Sequence, residues 1–574
     1  MGEIKKERVR IWDSVPGFDF NEEVDLTEIS SYFFDGTHSV PLLTPMYSWF
    51  WIRHCAYGAQ YAAEKFSMPK NKGFTLRDVE GSDYVGMRII KDEEEIKQRT
   101  VKFNEALVPW IEDFDGMWGT QQGELLSIYE KLRAIDFDTA TSIDLMHHLW
   151  DSISANRRMW EIHFQGMLVS YAAFLLLEDM VKPYGLTSES PEFQNMFRGF
   201  DNKVFQVDKK LWELGGMATD KGVDSVIMNT PIEEVISELE KSEAGKGWLK
   251  DLYNFLEVDG WRMVRMMDLN EPYWLEEPST VISPIRAFIK KGGDYDLDEV
   301  RENLAKEREK AIADLLNKVP EAEKPSFEAL IKLGGKAGSY SEEHDLYCEL
   351  YMHAVLRRSF LGIGRRLAKA GTIDKPDDIF FLNPDEVEMV LMGPEFHKLQ
   401  YIANRRRARW ENLNENWVEA QSVTHPPVYT TRANIEEAVG MDLLPSEDPI
   451  IIKIVVGELP RVREELKADI YGVCGAPGVA EGTARVIMTY NELDQVQNGE
   501  ILVCPGTNPA WTPVFGLVKA VVSDRGGTLS HTAIVGREYG LPTLVNTFTG
   551  TSTIKTGQRI RVDATEGALY ILDK

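Results

Sequence analysis

A short apolar run, Lys519-Ala520-Val521-Val522-Ser523, gives way to Asp524-Arg525-Gly526-Gly527-Thr528-Leu529-Ser530 and then to His531-Thr532-Ala533-Ile534-Val535. The first run has the β-branched content of a buried strand, and the glycine pair interrupts it. The run from His531 to Tyr539 is spaced for a helix, closed by Gly540 and Pro542. A strand, a loop and a helix in that order put His531 in the first turn of the helix. Backbone N–H groups there have no internal acceptor, and the helix dipole favours negative charge beside them. A phosphoryl group carried on His531 would therefore rest on a ready-made anion site. Gly526 and Gly527 let the backbone approach closely or take positive φ, and Thr528, Ser530 and Thr532 can add hydroxyl donors. A neutral imidazole, with an unperturbed pKa of about 6.5, is a competent nucleophile near neutral pH. The competing reading is a plain turn in which His531 only caps or packs.

Charge and cysteine usage narrow the setting. Lys and Arg number 64 against 92 Asp and Glu, a formal net charge of −28. Such a field repels nucleic acid and anionic membrane. Cys55, Cys348, Cys474 and Cys504 lie far apart without a CxxC pair, which reads as reduced, mostly buried thiols in a cytoplasmic protein. The charged start, Met1 to Arg8, lacks the apolar core of a signal peptide. The most apolar run, Met167 to Leu177, falls short of the roughly 20 residues a span requires and reads as a buried helix.

Along the chain, residues 1–90 read as an irregular entry segment, with a dense aromatic cluster at Met46-Tyr47-Ser48-Trp49-Phe50-Trp51. Those rings either pin the segment to a helical core or line an apolar substrate pocket. From about 93 to 290 the pattern is helical, with Leu145, Leu149 and Ile153 four residues apart. His147 and His148 are adjacent and carry no metal-ligand spacing; no metal site is expected. His163 is either a core histidine or part of a pocket wall. The Glu- and Lys-rich stretch 297–335 reads as a solvated helix. In Ser341-Glu342-Glu343-His344-Asp345-Leu346-Tyr347, Glu343 or His344 could take a proton from an acceptor hydroxyl, with Asp345 turned elsewhere on the helix. Gly362-x-Gly364 lacks the rest of a dinucleotide loop. Ile450 to Val456 and the charged run Glu458 to Lys467 read as a partly helical tether.

Gly526-Gly527-x-x-x-His531-x-Ala533-Ile534 with Arg537-Glu538-Tyr539-Gly540-Leu541-Pro542 resembles the swivelling phosphohistidine domain of phosphoenolpyruvate-utilising enzymes. Three further motifs extend the likeness over the last hundred residues or so: Gly475-Ala476-Pro477-Gly478-Val479-Ala480-Glu481-Gly482, Thr507-Asn508-Pro509-Ala510-Trp511-Thr512-Pro513, and Val562-Asp563 with Gly567. A second likeness, to the helical acceptor-binding domain of rifamycin phosphotransferase, runs through Asn254–Arg262 and Met267–Pro278 and closes at Asp377-Asp378-Ile379-Phe380-Phe381-Leu382. Arg262 and Asp268 fall inside it, where an internal ion pair explains them as well as a ligand contact does. The rifamycin enzyme reads Arg-Glu-x-Pro-Lys-Tyr where this chain has Glu342-Glu343-His344-Asp345-Leu346-Tyr347. That departure points away from rifamycin and toward the phenylphosphate synthase branch.

The resemblance implies a multidomain protein: a large, mainly α-helical acceptor-binding domain followed by a C-terminal α/β swivelling phosphohistidine domain. The expected division is 1–455, a hinge at 456–473, and 474–574. The resemblance further implies a dikinase-type phosphotransferase with a covalent phosphohistidine on His531, in which ATP gives AMP and phosphate. His344 and Glu343 are the acceptor-side candidates, with His163, Arg262, Asp268 and Arg358 as weaker acceptor-binding candidates. No motif here reads as a nucleotide site or a phosphoenolpyruvate barrel, so ATP and Mg2+ are expected on a separate ATP-binding subunit. The expected acceptor is a small, phenolic hydroxyl compound, as in aromatic degradation. A rifamycin-like natural-product acceptor and a non-enzymatic phosphocarrier are the alternatives.

Overall fold

The computed structural model describes residues 6–10, 21–25, 31–35, 38–39, 41–79, 81–188, 190–200, 203–265, 267–292, 297–416, 428–430 and 457–573. The expected run Ile450 to Val456 lies outside the described residues. The chain forms two compact units, interleaved in sequence: residues 1–169, 266–271 and 347–448 make the first, and 170–265, 272–346 and 449–574 the second.

In the first unit, strands β1 (Lys6–Arg10) and β2 (Asn21–Asp25) pair antiparallel. A separate four-stranded sheet has the order β4-β5-β3-β6, from β3 (Ser31–Phe34), β4 (Asn71–Val79), β5 (Ser82–Ile89) and β6 (Val428–Thr430). The described residues of 1–90 are thus more regular than the sequence suggests. Arg77, Asp78 and Asp83 are buried in the β4–β5 hairpin, and because consecutive residues are buried on both faces the two-residue alternation that marks a strand is hidden. The aromatic cluster is helical, Pro45–Phe50 running through a wider turn, Trp51–Cys55, into Ala56–Lys65. Its rings are buried against Trp160 and Phe360, so they build core. Gly58 is there because a Cβ would lie 2.5 Å from the Trp160 carbonyl oxygen. Helix Glu93–Arg133 starts on Asp92, whose carboxylate accepts from the N–H groups of Glu94 and Glu95. Asn383 and Glu386 cap helix Pro384–Leu391 reciprocally, and Arg406 pairs bidentately with Glu386 behind it.

Helix Ser142–Val181 contributes residues to both units. It is the one described helix long and apolar enough to cross a membrane by length and composition, but 72% of its apolar window is buried, as in a core helix.

The second unit joins a set of helices to an eight-stranded sheet. Helices Lys203–Asp220, Glu243–Asp259 and Ile282–Lys291 share one apolar core with residues of the C-terminal segment. Leu211, Trp248, Leu252 and Phe288 lie in it together with Ile487, Val514, Phe515 and Val535. The Glu- and Lys-rich stretch forms two helices, Leu297–Leu316 and Lys324–His344. The sheet order is β7-β14-β13-β9-β10-β11-β12-β8. These strands are β7 (Ile470–Tyr471), β8 (Val473–Ala476), β9 (Val479–Val486), β10 (Ile501–Cys504), β11 (Ala520–Ser523), β12 (Thr543–Val545), β13 (Arg559–Asp563) and β14 (Ala568–Ile571). The parallel set β9-β10-β11-β12 has helix His531–Glu538 as the crossover from β11 to β12. β10 and β11 are buried throughout, as parallel strands covered on both faces require.

The run Glu458 to Lys467 is not a helix; only Glu464–Leu466 makes a single tight turn. Pro460 breaks the pattern, Lys467 takes a left-handed φ of 50°, and Arg463 is tied to Glu566. All four cysteines are buried thiols outside any disulfide.

Candidate functional site

In open α/β sheets ligands gather beyond the carboxyl ends of the parallel strands, and His531 lies there, past the end of β11. Ser530 is the N-cap residue, with β-region φ and ψ, and its hydroxyl turns back to the Gly527 carbonyl at 2.8 Å. Gly526 has φ of +103°, which L side chains rarely adopt, and a Cβ would sit 2.6 Å from Ser530 Oγ. The turn between strand and helix thus requires glycine at 526 on two counts.

Other side chains brace the loop. Arg537 donates to the carbonyls of Gly475 (2.7 Å) and Thr528 (2.8 Å), and burial brings its guanidinium down to about 10. Glu458 accepts from the Thr528 N–H at 2.9 Å and its hydroxyl at 2.6 Å. The Thr532 hydroxyl meets Thr507 Oγ1 at 2.9 Å, linking the helix to the Thr507–Pro513 segment. Thr528, Ser530 and Thr532 therefore all have protein partners in this arrangement. The open anion ligands at the helix start are its first backbone N–H groups.

The His531 ring is nearly buried. Its Nδ1 lies 3.0 Å from both carboxylate oxygens of Glu342, whose side chain is 1% exposed. Its Nε2 is buried and has no hydrogen-bond partner. One nitrogen is held and the other presented.

Glu342 stands near the end of helix Lys324–His344. Gly338, one turn earlier on the same face, lies beside Ile534; a Cβ there would be in ordinary contact, 3.7 Å from Ile534 Cγ2. The surrounding contacts are polar and buried. Tyr539 donates its hydroxyl to Asp208 at 2.7 Å, and burial pushes the Asp208 carboxyl up to about 7. Glu538 accepts from the Phe200 N–H at 2.9 Å, and burial pushes it up to about 8. Gln194 donates to the Cys474 carbonyl at 2.8 Å.

Each acceptor-side candidate has its own set of partners. His344 is buried and stacks on Tyr340, with ring centroids 5.0 Å apart. Its Nδ1 donates to the Tyr340 carbonyl at 2.8 Å, and its Nε2 lies 3.1 Å from Asp345. Asp345 is therefore not turned away; it partners the imidazole. Glu343 is half-buried on the same helix, and Glu342 rather than Glu343 or His344 shares the Gly338 face. Arg262 is fully buried, donates to the Pro509 carbonyl at 3.0 Å and stacks on Trp274. Burial lowers its pKa, opposed by the charges of Asp208 and Glu342.

In the first unit, His163 pairs through Nε2 with Glu349 at 2.7 Å between the rings of Trp160 and Phe164, and burial lowers its pKa to about 3. Asp268, at φ of 124°, clamps the start of helix Pro45–Phe50 by accepting from the Thr44 N–H (2.6 Å) and hydroxyl (2.7 Å). Arg358 reaches the Ile135 carbonyl and lies over Phe137. The partners of Asp268 make it a structural clamp.

Residues 496–567 match the family described as "PEP-utilising enzyme, mobile domain". Residues 161–340 match "Rifampicin phosphotransferase fourth domain". The chain is 28% identical over 417 residues to the uncharacterized phosphotransferase YvkC of Bacillus subtilis, covering 72% of this chain and 47% of the relative. It is 28% identical over 480 residues to chondramide synthase cmdD of Chondromyces crocatus, covering 81% of this chain and 12% of the relative. It is 29% identical over 348 residues to the rifampicin phosphotransferase of Bacillus subtilis, covering 59% of this chain and 36% of the relative. The chain thus spans less than half the length of these relatives. Sequence reasoning reached His531 and its loop but missed Glu342. The available signal was its i, i+4 spacing from Gly338.

Proposed function

We propose that this chain is a phosphotransferase component in which His531 of the mobile domain carries a phosphoryl group to a hydroxyl-bearing small molecule. The observation that carries the reading is His531 itself: it heads a helix, with Nδ1 on Glu342 and a buried, unpartnered Nε2. The matches at 496–567 and 161–340 support it, because they pair a mobile domain with a domain typed on an enzyme that phosphorylates an antibiotic. Catalysis by such a carrier is a matter of positioning and charge. One group visits two sites, each preorganised for its own transfer.

The acceptor we favour is a larger hydroxylated natural product rather than phenol, since the name of the relative rifampicin phosphotransferase favours that class. Glu342 in place of the arginine of the rifamycin enzyme's pattern favours an acceptor other than rifamycin. The phosphoryl group is proposed to come from ATP bound with Mg2+ on a separate ATP-binding subunit or module.

The test separates the half-reactions. The chain is phosphorylated with phosphoramidate, freed of donor, and mixed with phenols and with polyhydroxylated natural products, and phosphorus NMR follows the label. The reading expects an acceptor-dependent loss of phosphohistidine matched by a phosphate monoester. A label that decays only to inorganic phosphate with every acceptor favours a non-enzymatic phosphocarrier and overturns it.

A further inference from the structure

We propose that Glu342 is a positioning residue for His531, fixing which ring nitrogen bears the proton and therefore which one gives and receives the phosphoryl group. The inference rests on the reading of His531 as a carrier and goes beyond it, since Glu342 lies outside the mobile-domain match.

Both Glu342 oxygens lie 3.0 Å from Nδ1, so the carboxylate faces that nitrogen squarely. A carboxylate only accepts, so Nδ1 must donate. In a neutral ring the other nitrogen, Nε2, then holds the lone pair, and it is the atom left without a partner. Glu342 is itself constrained: its side chain is buried, and the fully buried Arg262 guanidinium lies close enough for the two charges to interact. Gly338, one turn earlier, lies against Ile534 of the His531 helix, where a Cβ would make an ordinary contact at 3.7 Å.

The chemistry follows from the proton's location. In phospho-His531 with P on Nε2 and H on Nδ1 the ring is a cation, paired with the Glu342 carboxylate. When the acceptor oxygen bonds to phosphorus, the P–Nε2 bond breaks and its electron pair stays on Nε2. The ring leaves as neutral imidazole with Nδ1–H intact, and the hydroxyl proton passes to solvent. Without the Nδ1 proton the ring would have to leave as an imidazolate anion, a far poorer leaving group. Glu342 touches neither the phosphoryl group nor the acceptor in this scheme. It acts through the ring.

The test reads the ring directly. The full chain, perdeuterated and labelled with nitrogen-15 histidine, is examined by two-bond proton–nitrogen NMR, and the His531 signals are assigned by their loss in His531→Ala. The expected wild-type pattern is a protonated Nδ1 and a bare Nε2. Glu342→Ala should shift the ring toward the Nε2–H form that free imidazole side chains favour. Glu342→Gln, whose amide oxygen still accepts, should restore Nδ1–H. In parallel, chains phosphorylated with phosphoramidate should release the phosphoryl group about 10–100-fold more slowly in Glu342→Ala, by analogy with the range seen when the partner orienting a metal-bound histidine is lost, with recovery in Glu342→Gln. An Nε2–H ring in the wild type overturns the proposal, as does an unchanged tautomer in folded Glu342→Ala. If that variant does not fold, the wild-type spectrum alone decides. An Nδ1–H ring in a chain that phosphoramidate never labels at His531 would instead count against the carrier reading.

Discussion

Replacing Asp208 by Asn should make the second unit less sensitive to pH, by an amount the structure specifies. Asp208 is fully buried and accepts from the Tyr539 hydroxyl at 2.7 Å. Burial pushes its carboxyl from 3.8 to about 7, with the Tyr539 hydrogen bond and the Arg262 charge pulling the other way. Between those two values the folded protein holds a proton that the unfolded chain has released. Stability is therefore lost as pH rises through the window, the reverse of a salt-bridged carboxylate. At about 1.4 kcal/mol per pH unit, the loss between about pH 5 and about pH 7 is about 2.5 kcal/mol, and little more is lost above it. Asn keeps an acceptor for Tyr539 and cannot ionise. Asp208→Asn should thus gain about 2.5 kcal/mol on the wild type between about pH 5 and about pH 8, measured by urea unfolding at fixed ionic strength. The wild type retains a slope from Glu538, so the difference between proteins is the quantity to read. An equal effect of the substitution at both pH values, or a deficit that grows at about pH 8, refutes the reasoning. The growing deficit would mean that the ionised Asp208–Arg262 pair stabilises the unit.

Three further substitutions test the geometry. Gly338→Phe places a ring where a Cβ already lies 3.7 Å from Ile534; overpacking of about 1–3 kcal/mol should loosen the His531 helix, seen as faster amide exchange across Thr532–Glu538. Gly526→Ala forces a Cβ onto a φ of +103° and within 2.6 Å of Ser530 Oγ; a loss of at least about 1 kcal/mol in thermal unfolding is expected, and an unchanged melting temperature would show the loop can relax. His344→Ala removes a ring stacked on Tyr340 and bonded at both nitrogens; about 2 kcal/mol of stability should go, with transfer from phospho-His531 slowed less than tenfold. Normal stability with transfer abolished would instead support His344 as the acceptor-side base.

The His531 loop was legible because its signals are local. A strand, a glycine pair and a capped helix lie within about twenty residues, and each constrains the next. Glu342 was not, since two carboxylates and a histidine in a row differ only in which faces His531, and that depends on how two helices meet. The β4–β5 hairpin was hidden for a related reason. Arg77, Asp78 and Asp83 are buried by tertiary partners, so its polarity pattern does not report its inner face. The run Glu458 to Lys467 shows the opposite failure, in which helical propensity yields to Pro460 and to the side-chain ties of Glu458 and Arg463. The shared core of Leu211, Trp248 and Phe288 with Val514, Phe515 and Val535 is likewise set by packing. Motifs mark where a domain begins in sequence, not which residues it buries.

The most direct measurement is the mass of the intact chain after exposure to phosphoramidate, with and without the histidine. The account predicts a gain of one phosphoryl group on the wild type, stable in alkali and lost in acid, mapped to His531 by fragmentation and absent from His531→Ala. A wild-type chain that gains nothing, or a label of the same size that survives in His531→Ala, would contradict the claim that His531 is the phosphoryl carrier.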